Sequence, residues 1–214
     1  MQLTETIPTI TPLKADIHRP LWSVMIPTYN CADYLRFALT SVLAQDPGPE
    51  LMQIEVVDDC STKDDPAAVV QEIGQGRVQF FRKPRNEGAI ANFNTCIQRS
   101  RGKLVHILHG DDVVKPGFYS RMGQALLDQE AVGAAFCRQE YIDEQGRPQL
   151  TTRYLQKQSG LMSDALSVLA VTNRIQPPAI VVKRWVYETL GGYDARLFHS
   201  ADWEMWVRIA ARYP

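Results

Sequence analysis

The 214-residue chain has no apolar run approaching the roughly 18–20 residues that a membrane-crossing helix needs. Its first twenty residues, broken by Pro8, Pro12 and Pro20, also lack the apolar centre of a signal peptide. Neither sign of charge is in excess: 23 basic residues face 24 acidic ones, which removes the basic footprint of a nucleic-acid binder. Cysteine is sparse. Cys31, Cys60, Cys96 and Cys137 stand far apart without a C-x-x-C pair, which argues against a zinc site or a disulfide framework. Reduced thiols in a cytosolic protein are expected. The familiar phosphate cradles are missing too. Gly74-Gln75-Gly76 follows a helical pattern instead of a strand, and Gly102-Lys103 has neither the upstream glycine nor the following Ser or Thr of a P-loop. Any phosphate bound here is therefore expected to be held through a metal.

What is present is an ordinary globular composition, 45% apolar and 22% charged, enough for one domain with a sizeable core. Strand and helix patterns alternate, which predicts an α/β fold with a mostly parallel sheet flanked by helices. Strands are expected at 22–28, 53–58, 78–81, 104–109, 132–138 and 179–182, with a strand edge and turn at 141–147. Helices are expected at 32–44, 64–73, 89–101, 116–129, 161–170 and 200–212. Gly102 is expected as a left-handed cap of the third helix, 150–160 as a mobile polar loop, and Trp203, Trp206, Val207 and Ala210 as the buried stripe of the last helix. Residues 1–20 are expected to form a flexible lead-in to one domain spanning 21–214, which ends as though cut short.

The chemistry gathers where strands end. In open α/β sheets, ligands bind outside the carboxyl ends of the strands. Tyr29 and Asn30, Asp58 and Asp59, and Asp111 and Asp112 each follow such an end. One pair alone would be a turn or a helix cap; three strands converging on one edge indicate a site. Two adjacent carboxylates after a buried run raise each other's pKa or attract a counter-ion. A divalent cation with oxygen ligands, Mg²⁺ or Mn²⁺, is the expected partner. Asp202, in the first turn of the last helix, is either a complement to the helix N-terminus or a base. His106 is expected in the core and His109 at the mouth, with His199 an outlying candidate and the tryptophans in the core.

Five segments together resemble a family 2 glycosyltransferase of the GT-A fold. They are Val24 to Asn30, Val56-Val57-Asp58-Asp59-Cys60-Ser61, Asn86-Glu87-Gly88, His109-Gly110-Asp111-Asp112 and Ala201-Asp202-Trp203-Glu204-Met205-Trp206. The resemblance implies that Pro27, Tyr29 and Asn30 border the nucleotide base, with Asp59 at its edge and Asp58 beside it. It places Asn86 and Gly88 in a loop facing the nucleotide, and makes Asp111 and Asp112 the metal and ribose end of a D-x-D motif, with Asp111 and His109 beside the nucleotide sugar. Asp202 takes the place of the catalytic base. Two departures stand out: His109 occupies the first Asp position of D-x-D, where the family contacts the ribose, and Ala201 replaces an acidic residue.

The expected activity is inverting transfer of a sugar from a nucleoside diphosphate donor, UDP-linked by family habit, to a hydroxyl of a saccharide or lipid-linked acceptor. The setting would be polysaccharide or glycoconjugate biosynthesis in the cytoplasm, with peripheral association at the inner face of the membrane compatible. Two other readings use the same carboxylates: a non-catalytic nucleotide-sugar-binding domain and a metal-dependent nucleotidyltransferase.

Overall fold

The computed structural model describes residues 7–214. A six-stranded sheet runs in the order β3-β2-β1-β4-β8-β5. Its strands are β1 (Trp22–Thr28), β2 (Met52–Asp58), β3 (Gln79–Arg82), β4 (Leu104–Ile107), β5 (Ala134–Phe136) and β8 (Ile180–Lys183). The first four are mutually parallel, whereas β8 lies antiparallel to both β4 and β5. A separate hairpin pairs β6 (Glu140–Ile142) with β7 (Pro148–Thr151).

Alternation along the strands divides the core into two layers. Trp22, Val24 and Ile26 of β1 point to one face, against Leu35, Leu39 and Val42 of α1 (Ala32–Leu43) together with α2 (Pro66–Gly74) and α4 (Phe118–Leu127). Met25 and Val57 point to the other face, against α3 (Ala89–Arg99), α6 (Arg184–Leu190) and α7 (Ala201–Ala210). Coverage on both faces is why β1 and β2 are buried throughout. Truncating a fully buried leucine such as Leu39 should cost about 2–5 kcal/mol, since the transfer energy and the cavity add.

Several details differ from the sequence reading. Gly102 does not have the positive φ of a left-handed cap. It is needed for close approach: a Cβ there would sit 2.4 Å from the Ser23 backbone nitrogen. The buried stripe of α7 is Ala201, Met205, Trp206 and Ile209, while Trp203 and Val207 are only partly covered. Helix α5 (Ala165–Leu169) is shorter than expected, and α6 is an additional element. Within the expected polar loop, Leu150 pairs with Tyr141 across the hairpin. Residues 1–6 of the expected lead-in lie outside the described residues. Beyond them Ile10 is fully buried, and the Gly192 N–H donates to the Pro8 carbonyl at 2.8 Å.

Because β1 lies between β2 and β4 and runs parallel to both, the carboxyl ends of all three open on the same edge.

Candidate active site

The first wall of the site is built by backbone hydrogen bonds between strand ends. The Pro27 carbonyl accepts from the Gly110 N–H at 3.0 Å, and the Thr28 carbonyl accepts from the Asp59 N–H at 3.0 Å. This joins the three polar segments directly. Gly110 must be glycine-sized, since an added Cβ would lie 3.0 Å from Cys31 Sγ and 3.1 Å from Thr28 Oγ1. Asn30 adopts a left-handed conformation with φ 53°, which asparagine tolerates better than most residues. Its Oδ1 accepts from the Thr62 and Lys63 backbone N–H groups at 2.9 and 3.0 Å, tying the loop after β2 to the end of β1. Tyr29 stands beside it, 46% exposed.

Asp58 and Asp59 point inward. Asp58 is fully buried; Arg82 Nε donates to it, as do the Ser61 N–H and Oγ. Asp59 accepts from the Glu87 and Gly88 N–H groups at 3.0 and 2.8 Å, and Lys83 Nζ lies 3.0 Å from it. These bonds hold the Asn86–Gly88 turn, with exposed Asn86 at its tip, against the end of β2. They also put a carboxylate on free N–H groups at the start of α3, the favourable polarity for a helix N-terminus. Asp58 and Asp59 are thus buried and tied to the surrounding loops, while Tyr29 and Asn86 beside them are exposed.

The second wall is the end of β4. Ligand atoms of His109, Asp111 and Asp112 all lie within 4.8 Å of one another. Burial, reinforced by the Asp111 charge, pushes the Asp112 carboxyl up to about 6. Unbalanced negative charge at that spacing is what a cation would relieve, and roughly 4–5 Å is the span between opposite ligands of one ion. The residues therefore fit a divalent metal. His109 stacks on Phe93, with ring centroids 5.0 Å apart and planes 14° from parallel. Burial lowers its pKa, and the carboxylates of Asp111 and Asp202 oppose that shift in part. The charges of Asp111, after β4, and of Asp202, in α7, thus both act on His109.

Asp202 is fixed by contacts that no local sequence pattern announces. Trp203 Nε1 donates to the Leu169 carbonyl and Trp206 Nε1 to the Ile175 carbonyl. The two indoles clamp the segment between, and Asn173 within it donates from Nδ2 to Asp202 Oδ2 at 2.9 Å. Sequence reasoning missed Asn173, Lys83 and Phe93. Only Lys83 left a trace, its i,i+4 spacing to Glu87, whose carboxylate lies 2.8 Å away. His106 is a core residue: Nε2 sits 3.0 Å from the Pro178 carbonyl, so it carries the proton, and Nδ1 faces the Tyr119 hydroxyl at 3.2 Å. His199 is exposed against Phe198, and buried Asp194 is committed to Arg196.

Comparison with known proteins agrees with this architecture. The chain matches the profile of glycosyl transferase family 2 over residues 23–189. It belongs to that family. An uncharacterized glycosyltransferase of Rickettsia prowazekii is 27% identical over 199 residues, covering 92% of this chain and 61% of the relative. Among solved structures, a mannosyltransferase from Pyrobaculum calidifontis in complex with GDP-Man and Mn²⁺ superposes with a TM-score of 0.68 at 21% identity. That match covers 96% of this chain and 56% of the other. Residues 1–349 of S. aureus TarS, in complex with UDP-GlcNAc, give a TM-score of 0.65 at 16% identity, covering 90% and 54%. These neighbours share the GT-A fold. The chain thus spans about three-fifths of the length of such relatives. No helix among the described residues is long and apolar enough to cross a membrane.

Proposed function

We propose that this chain is the donor-binding and catalytic core of an inverting glycosyltransferase that uses a nucleoside diphosphate sugar and an acceptor hydroxyl. The observation that carries this reading is the cluster of His109, Asp111 and Asp112 ligand atoms at the end of β4, with the Asp202 carboxylate near enough to act on the charge of His109. Asp111 and Asp112 are the residues that would hold a divalent cation. When bound, such a cation offsets the charge that develops on the departing nucleoside diphosphate. Pro27, Tyr29 and Asn30 would border the base, with Asp59 at its edge and Asp58 beside it, and Asn86 and Gly88 would belong to the loop that faces the nucleotide. Fold neighbours carry GDP-Man or UDP-GlcNAc, so both bases belong in a first donor panel, with uridine favoured by the resemblance.

Asp202 would take the proton of the acceptor hydroxyl. One oxygen is held by Asn173, leaving Oδ1 as the accepting atom. An alcohol is a weak nucleophile and needs a base within hydrogen-bond reach. Direct attack of the acceptor oxygen on the anomeric carbon, from the face opposite the departing nucleoside diphosphate and with its proton passing to Asp202, would give inversion; the other nearby carboxylate, Asp194, is engaged by Arg196. The domain boundaries proposed are a core from 21 to 214 with 1–20 as a leading segment.

Product analysis tests the reading. Incubation with UDP- and GDP-sugars and Mn²⁺ should release the nucleoside diphosphate, by transfer or slow hydrolysis. Release of pyrophosphate would mark a nucleotidyltransferase, and tight binding without turnover would mark a binding domain.

A further inference from the structure

We infer that His109 is a nitrogen ligand of the cation site, which makes the site one carboxylate poorer and more selective for imidazole-accepting ions than an all-oxygen site. The inference rests on the proposed function, since it concerns the same cation. Its basis is geometric. His109 Nδ1 lies 3.7 Å from Asp112 Oδ2, too long for a hydrogen bond. It is, however, a separation that two ligands of one ion adopt at bond lengths of about 2.0–2.2 Å. The Phe93 stack fixes the plane of the ring, so Nδ1 is presented toward the carboxylates instead of turning freely.

Packing alone does not account for a histidine here. Its Nε2 is sealed from solvent and has no hydrogen-bond partner among the described residues. A buried polar atom without a partner is unfavourable, and phenylalanine would fill the same stack without that penalty. A cation on Nδ1 would leave the proton on Nε2, still without a partner, so what would offset that cost is the metal–nitrogen bond beside the two carboxylates and not any bond to Nε2. The chemistry of the donor set then follows: carboxylates and water suit Mg²⁺ and Mn²⁺, while imidazole shifts preference toward Co²⁺, Ni²⁺ and Zn²⁺.

Pulsed EPR of the full chain loaded with Mn²⁺ tests this directly, because a directly bound imidazole imprints ¹⁴N modulation on the electron spin echo. The expected result is clear modulation in the native chain and its loss in His109→Phe, which keeps the ring stack; an unchanged melting temperature would show that this variant folds. In parallel, His109→Asp should narrow the margin by which Co²⁺ displaces bound Mn²⁺ better than Mg²⁺ does. Mn²⁺ bound without ¹⁴N modulation overturns the inference and leaves a carboxylate-held cation standing. Modulation that persists in His109→Phe also overturns it, by placing the nitrogen elsewhere. Absence of any Mn²⁺ binding overturns the inference and the cation part of the proposed function, while nucleoside diphosphate release reports separately on transfer.

Discussion

Replacing Asp112 with asparagine should stabilise the metal-free protein at neutral pH, against the usual direction for a site residue. The Asp112 carboxylate accepts no hydrogen bond from the described residues, lies beside Asp111, and titrates near 6 because burial and that neighbour disfavour its charge. Its ordinary value is 3.8. The native state therefore holds this proton more tightly than the unfolded state. The resulting penalty is absent below pH 4, grows as pH rises, and is complete above pH 6. A shift of about two units would correspond to about 3 kcal/mol in a dry site. The side chain is 42% exposed, and solvent screening reduces the expected gain to about 1 kcal/mol, or about 2–4 °C in melting temperature for a chain of this size. The assay is thermal unfolding of both proteins in EDTA at pH 4 and pH 7.5, then at pH 7.5 with Mn²⁺. The variant should be the more stable at pH 7.5, equal at pH 4, and should lose its advantage in Mn²⁺. An Asp112→Asn protein less stable than native at pH 7.5 in EDTA, or one whose gain is the same at both pH values, would refute the reasoning.

Asp202→Asn should lower transfer by roughly 10²-fold or more while donor affinity barely changes, as expected when a base acts only in the transition state; a purely structural carboxylate would instead shift the melting temperature and spare turnover. Asn173→Ala should reduce turnover without moving donor affinity, and near-native turnover would show that Asp202 needs no such support. Gly110→Ala should cost about 1–3 kcal/mol from overpacking against Cys31 and Thr28, and weakened Mn²⁺ binding in the folded variant would show that Asp111 has been displaced. His106, held down to about 4 by burial, favours its neutral form in the native state. Its contribution of about 3 kcal/mol is present above pH 6.5 and lost as pH falls to 4, so His106→Gln should flatten the acid limb of the stability curve. Asp59→Ala should lower stability and weaken free nucleoside diphosphate and donor sugar by similar factors; an effect on the sugar-bearing ligand alone would move Asp59 away from the base wall.

Much of the fold was legible because both faces of β1, β2 and β4 are covered, which writes continuous apolar runs into the sequence. The direction of β8 was not legible, since residue alternation is identical in parallel and antiparallel strands. Helix α6 begins directly after β8 with no intervening break, so its start carried no signal. Gly102 sits where a helix cap is expected, but its constraint is the backbone of β1, distant in sequence. The positions of Asp111 and Asp112 after a strand, and of Asp202 in a first helical turn, were legible because strand ends and helix starts are visible locally. The inward orientation of Asp58 and Asp59 was not, because it depends on Arg82, Lys83 and the α3 N-terminus. Asn173 was invisible for a similar reason: two indole N–H groups some thirty residues later set its position.

At the root of the proposed activity is binding of a nucleoside diphosphate sugar to the strand-end carboxylates through a divalent cation. Its most direct measurement is the melting temperature of native and Asp111→Ala protein with UDP- and GDP-sugars, with and without Mn²⁺. Ligand binding at a hundred times Kd stabilises by about 2.7 kcal/mol, about 5–10 °C here. Such a shift is expected for native protein with one donor class only when Mn²⁺ is present, and it should disappear in Asp111→Ala. No shift with any donor, or an equal shift in Asp111→Ala, would contradict it.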